Sequence, residues 1–136
     1  MKKMLLVILL LSGIVCSNAY TQTLTIPDPN LANWMRNNGY AFAMTGNTID
    51  SVALDLHVQN NGYIGSNVLN LSNQGISDLT GLGLILGSWV DFNSTFFSEI
   101  NLSHNQITEV PWVDINYFLG GFVSIDLSYN NIDTLI

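Results

Sequence analysis

The sequence predicts an α/β solenoid with an N-terminal helical cap, and three observations predict it. One hydrophobic frame occurs three times, as Leu69-Asn-Leu-Ser-Asn-Gln-Gly-Ile76, Ile100-Asn-Leu-Ser-His-Asn-Gln-Ile107 and Ile125-Asp-Leu-Ser-Tyr-Asn-Asn-Ile132. Aligned on Leu71, Leu102 and Leu127, the copies also coincide at Leu79, Val110 and Leu135. A proline-led amphipathic segment precedes the first copy. A repeated frame means one short turn of structure stacked on itself, because no single copy buries its core alone.

Residues 1–19 read as a secretory signal peptide: Lys2 and Lys3, an apolar run from Met4 to Leu11, then Ser17-Asn18-Ala19, whose small residues suit cleavage after Ala19. The run is too short to span a bilayer, which takes about 20 apolar residues. No later stretch is long and apolar enough either. Lipid attachment at Cys16, the only cysteine, is the alternative; Val15 speaks against it, since that peptidase prefers a small residue just before the cysteine. Simple cleavage leaves a secreted or cell-surface chain without cysteines and therefore without disulfides.

Residues 20–65 are expected to form the helical cap. In Ile26-Pro27-Asp28-Pro29-Asn30, Asp28 can cap free amides and Pro29 suits the first helical position. Leu31, Trp34 and Met35 then share one face, and Asn38-Gly39 supplies a stop. Ile49, Val52, Ala53 and Leu56 have helical spacing as well, so Ile49 to Val58 is expected to be a second helix. A strand through Leu54-Asp-Leu56 is the competing reading.

Residues 66–136 carry about three repeats, the first atypical. Apolar, polar, apolar at the start of each copy is the period of a short strand with one buried face. Asn70, Asn101 and Asp126 should then point outward. Two residues past each serine stands Gln74, Asn105 or Asn130, where a side-chain amide can satisfy the backbone of a turn. Gln74 has one methylene too many for that role, which marks the first copy as distorted or next to a cap. The central leucines are spaced 31 and then 25 residues, so extra residues, chiefly Gly83 to Ser98, must bulge outward. Their Leu84, Ile85, Leu86, Trp89, Phe92 and Phe96 could pack the outer side or form an exposed patch. Trp112 to Leu119, before Gly120-Gly121, suits one or two helical turns.

Extended backwards to Phe97 and Phe122, the second and third copies follow L-x-x-L-x-L-x-x-N-x-L, and here the chain resembles a leucine-rich repeat protein. Ser66 and Gln74 depart from that pattern in the first copy. The Ile26-Pro-Asp leader, together with Gly75-Ile-Ser-Asp-Leu-Thr-Gly-Leu82, resembles secreted bacterial proteins of the internalin-like and Bacteroidetes type. The resemblance covers roughly Ile26 to Ile136. It implies export, parallel strands on a concave face, and binding of a macromolecule through that face.

Residue chemistry narrows the function. Loss of the leader's two lysines takes the formal net charge from −7 to −9 and leaves Arg36 as the sole lysine or arginine. Such a surface repels phosphate backbones and anionic membranes, so nucleic acid is excluded and a basic partner or a neutral glycan is expected. His57 and His104 belong to no metal motif, and neither Gly-x-Ser-x-Gly nor a phosphate-cradling glycine loop occurs. Asn47 and Asp50 are too few for a calcium loop. Asp91, Glu99, Glu109 and Asp114 are carboxylates that folding could pair, as glycosidases require, but they read as solvated surface acids. No catalysis, metal or cofactor is expected.

The expected ligand-binding residues are those facing outward from the strands and turns: Asn70, Ser72 and Asn73; Glu99, Asn101, Ser103 and His104; Asp126, Ser128 and Tyr129, with Val68 and Ser124 beside them. This face is polar, with an imidazole and a phenol side by side, and Tyr129 is its best anchor by type. The triplets at Asn70, Asn93 and Asn101 are formal glycosylation acceptors, two of them on this face, which points to a bacterial source. The alternative to a protein- or glycan-binding module is a structural one: the N-terminal cap and first repeats of a longer surface protein, with further repeats to follow. The end at Leu135-Ile136, where the third motif finishes without a closing cap, suits that alternative.

Overall fold

The computed structural model describes residues 22–61, 64, 68–87, 98–110 and 124–135. Residues 1–21, Ser66, Trp89 to Phe97 and Trp112 to Phe122 lie outside the described residues, and with them the expectations attached to those positions.

The chain opens with strand β1 (Thr23–Thr25), which joins β2 (Met44–Thr45) and β3 (Thr48–Asp50) in an antiparallel sheet of order β1-β3-β2. Thr25 pairs with Thr48 and Leu24 with Ile49. The β2–β3 hairpin turns through Gly46 and Asn47, with Gly46 at φ +58°, the left-handed region that two-residue hairpin loops require. Ile49 is the buried centre of this sheet.

Helix α1 (Pro29–Met35) forms as its capping residues dictate. Asp28 Oδ1 accepts from the amides of Asn30 (2.8 Å) and Leu31 (3.0 Å), and Pro29 sits in the first turn, where an N–H has no partner to lose. Leu31, Ala32 and Met35 are buried. The helix runs into a wide turn, Arg36–Tyr40, in which Gly39 takes φ +102° and lies so close to Ile64 that an added Cβ would come within 2.7 Å of it. The Arg36 guanidinium donates to the Gly46 carbonyl and to Asn33 Oδ1, tying the hairpin turn to α1.

Helix α2 (Ser51–Asn61) begins two residues later than its apolar period suggests. Asp50 is the reason. Its Oδ1 accepts from the amides of Val52 (2.9 Å) and Ala53 (3.1 Å), so helix starts after it and Ile49 stays in β3. Leu54 to Leu56 are helical, not a strand, and Leu54 is the buried residue of α2.

The repeated frame forms strands β4 (Val68–Asn70), β5 (Glu99–Asn101) and β7 (Ser124–Asp126), parallel and in register, so that Leu69, Ile100 and Ile125 are neighbours. Ladder bonds continue past the strand ends, from Leu71 N to Asn101 O (2.8 Å) and from Leu102 N to Asp126 O (2.8 Å). Helix α3 (Leu82–Gly87) follows the first copy, whereas β6 (Glu109–Val110) follows the second and pairs in parallel with β8 (Thr134–Leu135). In α3, Ile85 and Leu86 are buried and Leu84 half-buried.

The expected α/β solenoid with a helical cap is therefore corrected. The described residues form two small three-stranded sheets, one antiparallel and one parallel, a two-stranded pairing and three short helices. Two physical causes account for the difference. Threonine-rich segments around a Gly-Asn turn pair as strands where helix alone was expected, because β-branched residues pack well on a pleated surface. The repeat also covers only strand and turn: Leu79 leads into a helix, while Val110, its counterpart, lies in a strand.

One core joins both sheets, running from Ile26, Leu31 and Ile49 through Leu71 and Ile76 to Leu102, Ile107 and Val110. Ile26 packs against Gly81 so closely that any side chain there would collide with it. Asp28, itself 4 % exposed, spans the same joint: its Oδ2 accepts from Ser77 N (2.7 Å), Ser77 Oγ (2.9 Å) and Asp78 N (3.1 Å). Burial alone would raise the pKa of this carboxyl. The hydrogen bonds from Ser77, Leu31 and Asp78 outweigh burial and hold it below its ordinary 3.8.

Candidate binding face

The outward face of the parallel sheet is built from three aligned rows. Val68, Glu99 and Ser124 form the first, and Asn70, Asn101 and Asp126 the second. The third is the turn that follows, with Asn73, His104 and Tyr129 at equivalent positions of the frame.

Most of the second row is occupied with structure. Asn70 Oδ1 accepts from Ser72 N (3.0 Å) and Oγ (2.8 Å), and Asn101 Oδ1 accepts from Ser103 N (3.0 Å) and Oγ (2.7 Å). Asp126 Oδ1 likewise accepts from Ser128 N (2.9 Å). Each pair closes the strand end through its own side chains. The expected site residues Asn70, Ser72, Asn101, Ser103 and Ser128 thus spend hydrogen-bonding capacity on one another, and Ser103 is buried.

The amides behind the turn work as the frame suggests. Asn105 Oδ1 accepts from Gln74 N (3.1 Å) and Ile76 N (3.0 Å), while its Nδ2 donates to Leu71 O (2.8 Å) and Leu102 O (2.9 Å). Asn130 repeats this one copy later, accepting from Ile107 N and donating to Leu102 O and Leu127 O. Each asparagine binds the copy before its own. Gln74 stands in the first copy with no earlier one to bind, and its Nε2 donates to Ser72 O (3.0 Å).

The third row is different in kind. Asn73, His104 and Tyr129 have φ of 58°, 55° and 56°, the chain's non-glycine residues with positive φ among those described. The left-handed conformation costs a side-chain-bearing residue about 1–2 kcal/mol, least for asparagine. This backbone recurs at the same position of each copy. The rings of His104 and Tyr129 stack at 4.2 Å between centroids with an interplanar angle of 9°. Tyr129 remains 75 % exposed.

Asp126 completes the charged side of the face. Its carboxyl lies below the usual aspartate range because the Ser128 amide and hydroxyl donate to it, with a smaller contribution from the charge of His104. Glu99 is exposed on the neighbouring strand. Arg36, the sole lysine or arginine after Lys3, is engaged at the hairpin.

The two margins of this sheet differ. Beside β4, Trp34 Nε1 donates to Asn70 O (3.1 Å) and Asn30 Nδ2 to Gly75 O (2.8 Å), so α1 covers that margin. At the opposite margin is β7, and there Ile125, with Leu127 and Ile132 of the turn that follows, is only half-buried although Ile100, Leu102 and Ile107 are buried.

Elsewhere, a cleft of about 390 Å³ lies between Thr23, Ser51, Asp55 and Leu84, and one of about 290 Å³ between Ser77, Asp78, Thr108 and Glu109. Neither contains a histidine. Among the described residues, no three His, Cys, Asp or Glu side chains converge as metal ligands, and no helix is long and apolar enough to cross a membrane. A second ring pair, Phe42 on His57 at 4.3 Å, joins α2 to the turn before β2; no spacing in the sequence announces it. Sequence reasoning also missed the left-handed row, although an asparagine at Asn73 was the one available signal.

No protein-family model, curated protein or solved structure matches the chain.

Proposed function

We propose that the chain is an exported, non-catalytic binding module that recognises a protein or glycan through the outward face of β4, β5 and β7. The His104–Tyr129 stack carries this reading. A large aromatic ring left three-quarters exposed, held by a costly backbone conformation and backed by a second ring, is the type of group that anchors interfaces. The motif resemblance to secreted bacterial leucine-rich repeat proteins supports export and macromolecular binding. The purified protein, its Tyr129→Ala variant and its His104→Ala variant should be compared on protein and glycan arrays. Retention on a cognate spot should fall about tenfold or more for Tyr129→Ala, with a smaller loss for His104→Ala and no drop in melting temperature. Retention unchanged by both overturns the site.

A second reading rests on the half-buried Ile125, Leu127 and Ile132: a structural segment of a longer surface protein with no ligand of its own, in which a further strand covers β7. Array spots that are blank for the wild type as well would favour it.

A further inference from the structure

We infer that the partner of this face is an arginine-bearing protein segment whose guanidinium stacks on the open side of Tyr129 and pairs with Asp126. The inference rests on the binding role proposed above and names the chemistry of what is bound.

Three observations converge on a cation. The His104 ring stacks on one face of Tyr129, and Tyr129 is still 75 % exposed, so the other face of the phenol is open in the turn after β7. A planar guanidinium stacks on such a face and gains from the ring's quadrupole. Asp126 stands three residues before the ring on the same strand end, and Ser128 is its hydrogen-bond donor among the described residues. One oxygen accepts the Ser128 amide, and a carboxylate has lone pairs for further donors, so a guanidinium can add to it without breaking the turn.

Charge sets the class of partner. Glu99 lies one strand over and two residues along, roughly 8 Å away from strand spacings, within reach of a second basic side chain. No lysine or arginine follows Arg36, so the face carries no fixed cation of its own. At a net charge of −9 beyond the leader, a second copy of the chain is repelled and a basic segment is steered in. A neutral sugar could stack on Tyr129 but would draw nothing from Asp126 or Glu99.

The frame itself supplies variants that keep the fold. Asn70 and Asn101 close the first two turns as Asp126 closes the third, so Asp126→Asn removes charge and retains the closure. Asn73 occupies the left-handed position of Tyr129, so Tyr129→Asn removes the ring and suits the backbone. Titration calorimetry of the purified protein with nona-arginine, nona-lysine and a neutral oligosaccharide panel reads the outcome. Nona-arginine is expected to bind more tightly than nona-lysine, to lose about tenfold with Tyr129→Asn and about threefold to tenfold with Asp126→Asn, and to weaken as salt rises. Equal binding of both peptides, unchanged by either variant, means diffuse acidity and overturns the inference. A neutral oligosaccharide that binds in a Tyr129-dependent way, with no response to nona-arginine, overturns the cation while leaving the binding face intact. Silence toward every probe, together with blank arrays, overturns both.

Discussion

Replacement of Asp28 by alanine tests the joint between the N-terminal segment and the parallel sheet. One carboxylate accepts five hydrogen bonds there, two from α1 and three from Ser77 and Asp78, at 2.7–3.1 Å. Loss of a helix cap costs about 1 kcal/mol. Hydrogen bonds to a charged group contribute about 1.5–3 kcal/mol each, but the three on Oδ2 share one atom and do not add. A total of about 3–5 kcal/mol is expected for Asp28→Ala, a large fraction of the roughly 5–15 kcal/mol that holds a domain folded. Ser77→Ala removes one donor and should cost only about 0.5–1.5 kcal/mol. Urea unfolding monitored by tryptophan fluorescence measures both. The lowered pKa adds a second signature: the carboxylate's stabilisation is fully present above the unfolded value near 3.9 and is lost as pH falls through the lower folded value. The wild type should therefore lose more stability than Asp28→Ala as pH falls below about 4. A cost below about 1 kcal/mol with an unchanged acid profile would refute the idea that Asp28 ties the two parts together.

Asn105→Ala leaves the amides of Gln74 and Ile76 and the carbonyl of Leu71 without their side-chain partner and should destabilise by about 3 kcal/mol, whereas Gln74→Ala should cost under about 1 kcal/mol; chemical denaturation separates them. Tyr40, buried and with its pKa pushed up to about 12 by that burial, contributes stability that is intact below the unfolded value near 10 and is lost as pH rises toward 12. Absorbance of the phenolates should show a step near pH 12, and Tyr40→Phe should abolish it. Arg36→Ala should cost about 1 kcal/mol by releasing the hairpin turn from α1, read as a lower melting temperature. Tyr129→Asn should leave the melting temperature equal or raised, since asparagine tolerates φ near +56° better than tyrosine.

The strands at Leu69, Ile100 and Ile125 were legible because a period of two with one buried face leaves a direct trace in residue type. Helix α1 was legible for the same kind of reason, since Asp28 and Pro29 act locally. The antiparallel sheet was not. Ile49 fits a helical period with Val52, Ala53 and Leu56, and only the Asp50 side chain, by capping the next residue, decides that helix starts after it. Asn105 and Asn130 declared their role through their place in the frame, while the reason for Gln74 depends on which copy lies beneath it, a tertiary fact. On the candidate face, the serines and their Asn or Asp partners looked available in sequence and prove to serve each other. The ring of Tyr129 and its place beside His104 were visible from the frame, but the left-handed backbone on which the two rings stack was not.

The proposed recognition surface for a basic segment is the His104–Tyr129 end of the parallel sheet. Titration of nona-arginine into isotopically labelled protein, followed by amide and aromatic NMR shifts, tests it most directly. Changes concentrated at Tyr129, His104, Asp126 and Ser128, and absent in Tyr129→Asn, are expected. Shifts spread evenly over Asp50, Asp55, Asp78 and Glu109, or confined to α2, would contradict it.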